Sequence, residues 1–373
     1  MKIETIAIHA GNQKDGASKA VIQPIVLSTT FEREKDGSYP AGYIYGRADN
    51  PNRSLLENVL AKLEGGEDAA AFSSGNAAGM SVFQSLSPGT HVIAPNDMYH
   101  GLKNQLKSIF AGILEFDFVD VNEIEVLEAS IKANTGLIWV ETPSNPLLKL
   151  TDIKRTAALA KSRQIKLVVD NTFATPICQQ PLSLGADMVM HSSTKYFGGH
   201  SDLMGGALIT ARKDEWWDKI RNVQQAGGAI PSPTDCYWLA RSIKTLPYRI
   251  KGHVHNAQLL AHFLKLHPKV EQVLYPGLTS HPQHELAKQQ MTGFGGMLSF
   301  MVKGGADEAF AVAANVKIFT RATSLGGVES LLEHRASTEG PDSKTPQNLL
   351  RVSVGLEHID DLIEDLSQAL DAI

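Results

Sequence analysis

Six short apolar runs, Ala69–Phe72, His91–Ala94, Leu137–Glu141, Lys166–Val169, Met188–His191 and Ala207–Thr210, recur through the middle of this chain. Each is of strand length, and the stretches between them, Asn76–Leu86 and Asp152–Arg163 among them, read as helices. Strands that alternate with helices predict an α/β protein with a mostly parallel sheet covered on both faces. In such a sheet a ligand lies at the carboxyl ends of the strands. The chemically loaded residues fall just there: Ser74-Gly75, Tyr99, Asn145, Asp170 and the segment Ser192–Lys195.

The flanks divide the chain further. Residues 1–48 are rich in Gly, Ser and Thr and are broken by Pro24 and Pro40, which predicts an extended arm. Asn50-Pro51 is an N-cap followed by proline at the first helical position; Leu55, Leu56, Val59, Leu60 and Leu63 repeat at helical spacing before Gly65-Gly66. At 373 residues the chain is long for a single core. A helical pattern around 240–265, interrupted at Pro247, places a domain change there. The expected division is an arm over 1–48, a large domain over 49–240 and a smaller α+β domain over 241–373. Within the last, strands are expected at Met297–Val302 and Leu349–Val354, and an amphipathic helix at Ile359–Ala372. Arg351 alternates with apolar neighbours, so burial of their face would leave it free to meet an anion.

A net charge of −5 gives no electrostatic reason to expect nucleic acid or an anionic membrane as partner. No run approaches the roughly 20 apolar residues of a membrane span, and the first residues do not read as a secretory signal. Cys178 and Cys236 stand in unrelated contexts, which suits a reducing, cytoplasmic setting and buried bystander thiols. No metal site is expected. His253, His255 and His262 read as solvated or capping residues, and His284-Glu285 lacks the second histidine of a zinc-protease helix. Gly293-Phe294-Gly295-Gly296 is only a fragment of a dinucleotide fingerprint.

The stretch from His191 to His200, His-Ser-Ser-Thr-Lys-Tyr-Phe-Gly-Gly-His, is the most informative. A desolvated lysine can be neutral often enough to form an imine, and Ser192 and Thr194 set hydroxyls beside Lys195 for phosphate oxygens. Alone, Ser-x-x-Lys also fits a surface turn or the penicillin-binding enzymes. Asp170 narrows the choice. A carboxylate at the end of a buried strand needs a partner, and the protonated ring nitrogen of pyridoxal phosphate (PLP) is one. Ser73-Ser74-Gly75-Asn76 joins a strand to a helix and offers a phosphate-binding turn; the Tyr99 ring could stack on a flat cofactor.

Taken together, these pieces resemble the Cys/Met-metabolism family of fold-type I PLP enzymes. The resemblance runs nearly the whole chain, through Ile8-His9-Ala10-Gly11, Tyr45–Pro51, Glu141–Pro146, Val169–Pro176, the lysine segment, Ser324–Leu331 and Leu350–Gly355. It implies a fold-type I transferase fold with Lys195 as the Schiff-base lysine and Asp170 on the pyridinium nitrogen. It implies further that Gly75, Asn76, Ser192 and Thr194 hold the phosphate, that Tyr99 stacks on the ring, and that Asn145 lies near the ring hydroxyl and the substrate. Arg351, with the backbone around Ser324, would bind the substrate α-carboxylate. Tyr45 and Arg47 would reach the phosphate from a neighbouring subunit, which implies shared sites in a homotetramer built as a dimer of dimers. Lys195, Tyr99 and Tyr45 are the implied acid–base groups.

The activity so implied is β/γ-elimination or γ-replacement on a sulfur amino acid or activated homoserine, of the cystathionine γ-synthase or γ-lyase type. Methionine γ-lyase and cystathionine β-lyase chemistry are the alternatives. An aminotransferase, or a PLP-binding regulator without turnover, is more remote. The chain departs from the family pattern at Asn76 (usually Met), at His100 and Leu102 (usually Gly and Thr), at Thr323 (often Glu) and at Arg335 (commonly Pro).

Overall fold

The computed structural model describes residues 1–11, 16, 18–339 and 343–373. Residues 12–15 and 17 of the expected arm lie outside the described residues. Seven strands form the larger sheet: β1 (Asp68–Phe72), β2 (His91–Pro95), β3 (Glu115–Val119), β4 (Thr135–Glu141), β5 (Lys166–Asp170), β6 (Met188–Ser192) and β7 (Gly206–Thr210), in the order β1-β7-β6-β5-β4-β2-β3. From β3 through β2, β4 and β5 to β6 every pairing is parallel; β7 runs antiparallel to both β6 and β1. The mostly parallel α/β sheet expected from the apolar runs is present. β3 was not foreseen, because its Glu115-Phe-Asp-Phe-Val alternates at an edge where charge is tolerated.

Central strands are buried on both faces, which is why they read as continuous apolar runs. Helices cover both sides. One is Pro51–Glu64, whose N-cap Asn50 side chain accepts the Asn52 N–H and whose end is turned by Gly65 at φ 72°. Others span Gly75–Gln84 and Ile153–Ser162, within two residues of expectation at each end.

A second sheet holds β8 (Val270–Leu274), β9 (Met297–Val302), β10 (Thr320–Arg321), β11 (Leu331–His334) and β12 (Leu349–Ser353), in the order β10-β11-β12-β9-β8. It packs with the helix Ile359–Asp371 around a core of its own that contains Leu298, Phe300, Val352, Leu362 and Leu366. The helix Leu246–Leu266 serves both cores: Leu246 and Ile250 pack with the first, and Ala257, Leu260 and Leu264 with the second. Pro247 lies in its first turn, so the proline opens this helix instead of breaking it.

Two further expectations need correction. The arm is not extended throughout: Ile3–His9 is a helix, with Ala7 buried against the cluster that includes Leu56 and Val59. His253 is neither solvated nor a cap. It is fully buried and its Nδ1 lies 2.7 Å from the Val354 carbonyl. Among the described residues, no helix is long and apolar enough to cross a membrane.

Candidate active site

The carboxyl ends of β4, β5 and β6 meet at one place, and each delivers a polar group. β5 ends in Asp170, whose Oδ1 accepts the Thr172 N–H at 3.0 Å and the Thr172 hydroxyl at 2.5 Å. The same hydroxyl accepts the Ser192 N–H at 2.9 Å, which fastens the end of β6 to the turn after β5. Glu141, at the end of β4, stands in register with Asp170, and both are buried. Burial pushes the Asp170 carboxyl up despite the two Thr172 bonds. Burial, reinforced by the Asp170 charge, holds Glu141 well above the usual carboxylate range. A cation placed against this pair would relieve the cost of burying its charge.

Lys195 follows β6 in a tight turn, its N–H donating to the Ser192 carbonyl at 3.1 Å. Its Nζ donates to Ser324 Oγ at 2.7 Å. Burial, and then the Arg351 charge, bring its pKa down to about 8. A sizeable fraction is therefore neutral at physiological pH, as a carbonyl-capturing amine requires. Ser324 holds the left-handed conformation at φ 86°, a strained choice for a non-glycine residue.

A phosphate site lies on the other side of the turn. The Ser74 side chain caps the helix Gly75–Gln84 by accepting the Ala77 N–H. The Gly75 and Asn76 N–H groups belong to the first turn, which has no intrahelical acceptors and carries the positive end of the helix dipole. Gly75 has no room for a side chain: a Cβ would meet Ser192 Cβ at 3.0 Å. The Thr194 hydroxyl is engaged with Gly205, accepting its N–H at 3.0 Å. The aldehyde-capturing amine, the buried acid and the anion-binding turn together fit PLP.

Tyr99 stands at the edge of this site, 44% exposed, with its N–H donating to Glu141 Oε2 at 2.9 Å. Its ring passes so near Gly101 that a Cβ there would fall 2.6 Å from Tyr99 Cε1 and 2.8 Å from Asn76 Oδ1. His100, one of the departures from the family pattern, bonds Asn104 on the exposed side, whereas Leu102 is a core residue. A cleft of about 640 Å³ opens beside Tyr99 and Asn145 and is walled by Lys103, Arg335 and Glu339.

Arg351 is placed where sequence puts it, but it is not free. Nη1 donates to Asn145 Oδ1 at 3.0 Å, Nη2 donates to the Ser324 carbonyl at 2.9 Å, and Nη2 also pairs with Glu333. Strand β12 is buried on both faces, so alternation did not send Arg351 to solvent. Tyr45 and Arg47 make other contacts within the chain. Tyr45 is half exposed, Arg47 donates to the Gln225 carbonyl at 2.5 Å, and its guanidinium lies 5.9 Å from the centre of the Tyr45 ring.

Sequence reasoning missed Thr172, Glu141 and Glu333. Asp170-Asn171-Thr172 carries a local signal, since an Asx side chain bonds the N–H two residues on. Glu141 and Glu333 carry none: each acquires its partner from a neighbouring strand. Both thiols are buried, and Cys178 is pushed up to about 12 by burial, so neither is a nucleophile.

Comparison with known proteins agrees with this geometry. The family model for Cys/Met metabolism PLP-dependent enzymes matches residues 4–371. The cystathionine gamma-synthase of Mycobacterium leprae is 47% identical over 376 residues, covering 99% of this chain and 96% of the relative. The cystathionine gamma-lyase of Dictyostelium discoideum is 45% identical over 379 residues, covering 99% and 98%. The crystal structure of metB from Corynebacterium glutamicum superposes with a TM-score of 0.97 at 44% identity, over 100% of this chain and 98% of that one. With the lysine, the acid and the anion-binding turn assembled at the strand ends, the chain belongs to the Cys/Met metabolism PLP-dependent enzyme family.

Proposed function

We propose that this enzyme carries out γ-replacement or β/γ-elimination on a sulfur amino acid or an activated homoserine, in the manner of cystathionine γ-synthase or γ-lyase. The observation that carries the reading is the buried amine of Lys195, brought to about 8 and held by Ser324 within one network with Arg351. Relatives named cystathionine gamma-synthase, gamma-lyase and beta-lyase all align over 99% of the chain and support it.

PLP, when bound, supplies an aldehyde for an amine and a conjugated ring that takes up electrons from the substrate. Asp170 would hold the ring N–H, and Gly75, Asn76, Ser192 and Thr194 would hold the phosphate. Tyr99 would cover the ring, and Asn145 would lie beside its hydroxyl. Arg351 would bind the substrate α-carboxylate through its planar fork, with the Ser324 backbone beside it. Lys195 would take the proton from Cα and, for γ-chemistry, a second from Cβ before the γ-group leaves. In γ-elimination a proton returns at Cγ, whereas in replacement the incoming nucleophile takes Cγ and protons return to Cβ and Cα. Tyr99, or Tyr45 of a second copy, would protonate the leaving atom.

A second copy would also bring Arg47 to the phosphate in a cytoplasmic homotetramer. Exposed apolar residues on the N-terminal segment, Val21, Ile22, Leu27 and Ile44, support such an assembly. The test is a substrate panel. The PLP-loaded protein is given cystathionine, methionine, or an O-acylhomoserine with cysteine, and pyruvate, 2-oxobutyrate or a new thioether is identified. Absence of all three with every substrate would overturn the proposal.

A further inference from the structure

Glu333 and Arg351 face one another across the antiparallel pair β11–β12, in register and both buried. Glu333 Oε2 is in contact with Arg351 Nη2 and lies 3.5 Å from Nη1 of a second buried guanidinium, Arg335. Its other oxygen, Oε1, is buried without any hydrogen-bond partner. Arg335 is held from its far side: Nε donates to Glu339 Oε1 at 3.0 Å, while Glu339 Oε2 accepts from the Ser343 and Thr345 hydroxyls at 2.6 and 2.8 Å. One carboxylate thus stands between two arginines, closely paired to the first, loosely to the second, with half its acceptor capacity unused.

We infer that Glu333 holds Nη2 of Arg351 in place of the substrate carboxylate, and that Arg335 receives Glu333 when substrate arrives. The inference rests on the reading of Arg351 as the carboxylate-binding residue. An incoming carboxylate on Arg351 would leave Glu333 buried beside a second negative charge, which is costly without a cation to take it up. Arg335 is that cation, with Nη1 3.5 Å from Glu333 Oε2 and Nε bonded to Glu339. The exchange conserves ion pairs: Arg351–Glu333 is lost, Arg351–substrate forms, and Glu333–Arg335 closes from its loose contact. Glu333 and Arg335 are then positioning residues that set carboxylate affinity.

The experiment uses the PLP-loaded enzyme and two dead-end ligands read by visible absorbance: L-alanine, and ethylamine, which lacks the carboxylate. Glu333→Gln removes the competing charge and should tighten L-alanine by about tenfold, the scale of one ion pair in a partly desolvated site, with ethylamine unchanged. Arg335→Met removes the receiver and should weaken L-alanine by a similar factor, again sparing ethylamine, with KM rising more than kcat falls. Arg335→Lys should recover part of the loss. If Glu333→Gln leaves L-alanine unchanged or weaker, or if both ligands move together, the inference is overturned. Should Glu333→Gln fail to fold, an Arg335→Met enzyme with unaltered L-alanine affinity overturns it equally. Arg351→Ala separates the two levels: if it does not weaken L-alanine, the assignment of Arg351 itself falls, whereas a large loss there with no response at Glu333 and Arg335 sinks only the exchange.

Discussion

Glu141 and Asp170 end adjacent parallel strands in register, two buried carboxyls side by side at the floor of the active site. Burial raises both, and the Asp170 charge raises Glu141 further. Two carboxyls buried so close together favour either a bound proton or a cation beside them.

That pair predicts how the cofactor-free protein responds to pH. Both carboxyls bind a proton more tightly folded than unfolded, so their contribution is full below ordinary values of about 4 and is lost as pH rises through the raised folded values. The melting midpoint of the apoprotein should fall as pH rises above the ordinary carboxylate range. Glu141→Gln keeps an acceptor for the Tyr99 N–H and removes one of the two charges, so its decline should be shallower. Superimposable melting profiles for the two proteins would rule this out.

Lys195 should reveal its depressed basicity in cofactor uptake. The rate at which apoprotein captures PLP is expected to rise with pH through about 8, as the amine loses its proton. Arg351→Met removes a neighbouring positive charge and should move that inflection to higher pH. Lys195→Ala should abolish the visible band of the bound cofactor together with turnover; full activity in that variant would refute the assignment.

At Ser324 two losses can be separated. Both Ser324→Ala and Ser324→Gly remove the hydroxyl that accepts from Lys195. Only glycine relieves the backbone at φ 86°. Ser324→Gly should therefore be the more stable of the two by about 1 kcal/mol, measured by urea unfolding. Equal stability would mean that the left-handed conformation relaxes without cost.

Gly101→Ala tests the seat of the Tyr99 ring. A methyl group there would drive into Tyr99 Cε1 and the Asn76 side chain. Because Tyr99 is half exposed it can move aside, so the melting midpoint should change little while PLP is held about tenfold more weakly, the value of a lost stacking contact. Titration of apoprotein with PLP measures this, and unaltered affinity would remove Tyr99 from the cofactor site.

Much of the site is legible from the chain alone because it is local. Asp170 and Ser192 end strands marked by apolar runs, Thr194 and Lys195 follow one, and a parallel sheet sends its strand ends to the same edge. The turn at Ser74-Gly75 is likewise written in small residues before a helix. Position alone could not tell that Arg351 would be engaged. Alternation within β12 predicted a guanidinium free to meet an anion, but the strand is buried on both faces and Arg351 already has partners within the chain.

The sequence by itself determined the α/β architecture, and it placed Asp170 and Lys195 at the carboxyl ends of neighbouring strands, since period, strand length and turn chemistry are short-range properties. Only the tertiary structure decided which charges are neighbours. Glu141 beside Asp170, and Glu333 between Arg335 and Arg351, follow from cross-strand register. Register is set by long-range pairing and core packing, and a carboxylate acquires its partner and its pKa only once that pairing exists.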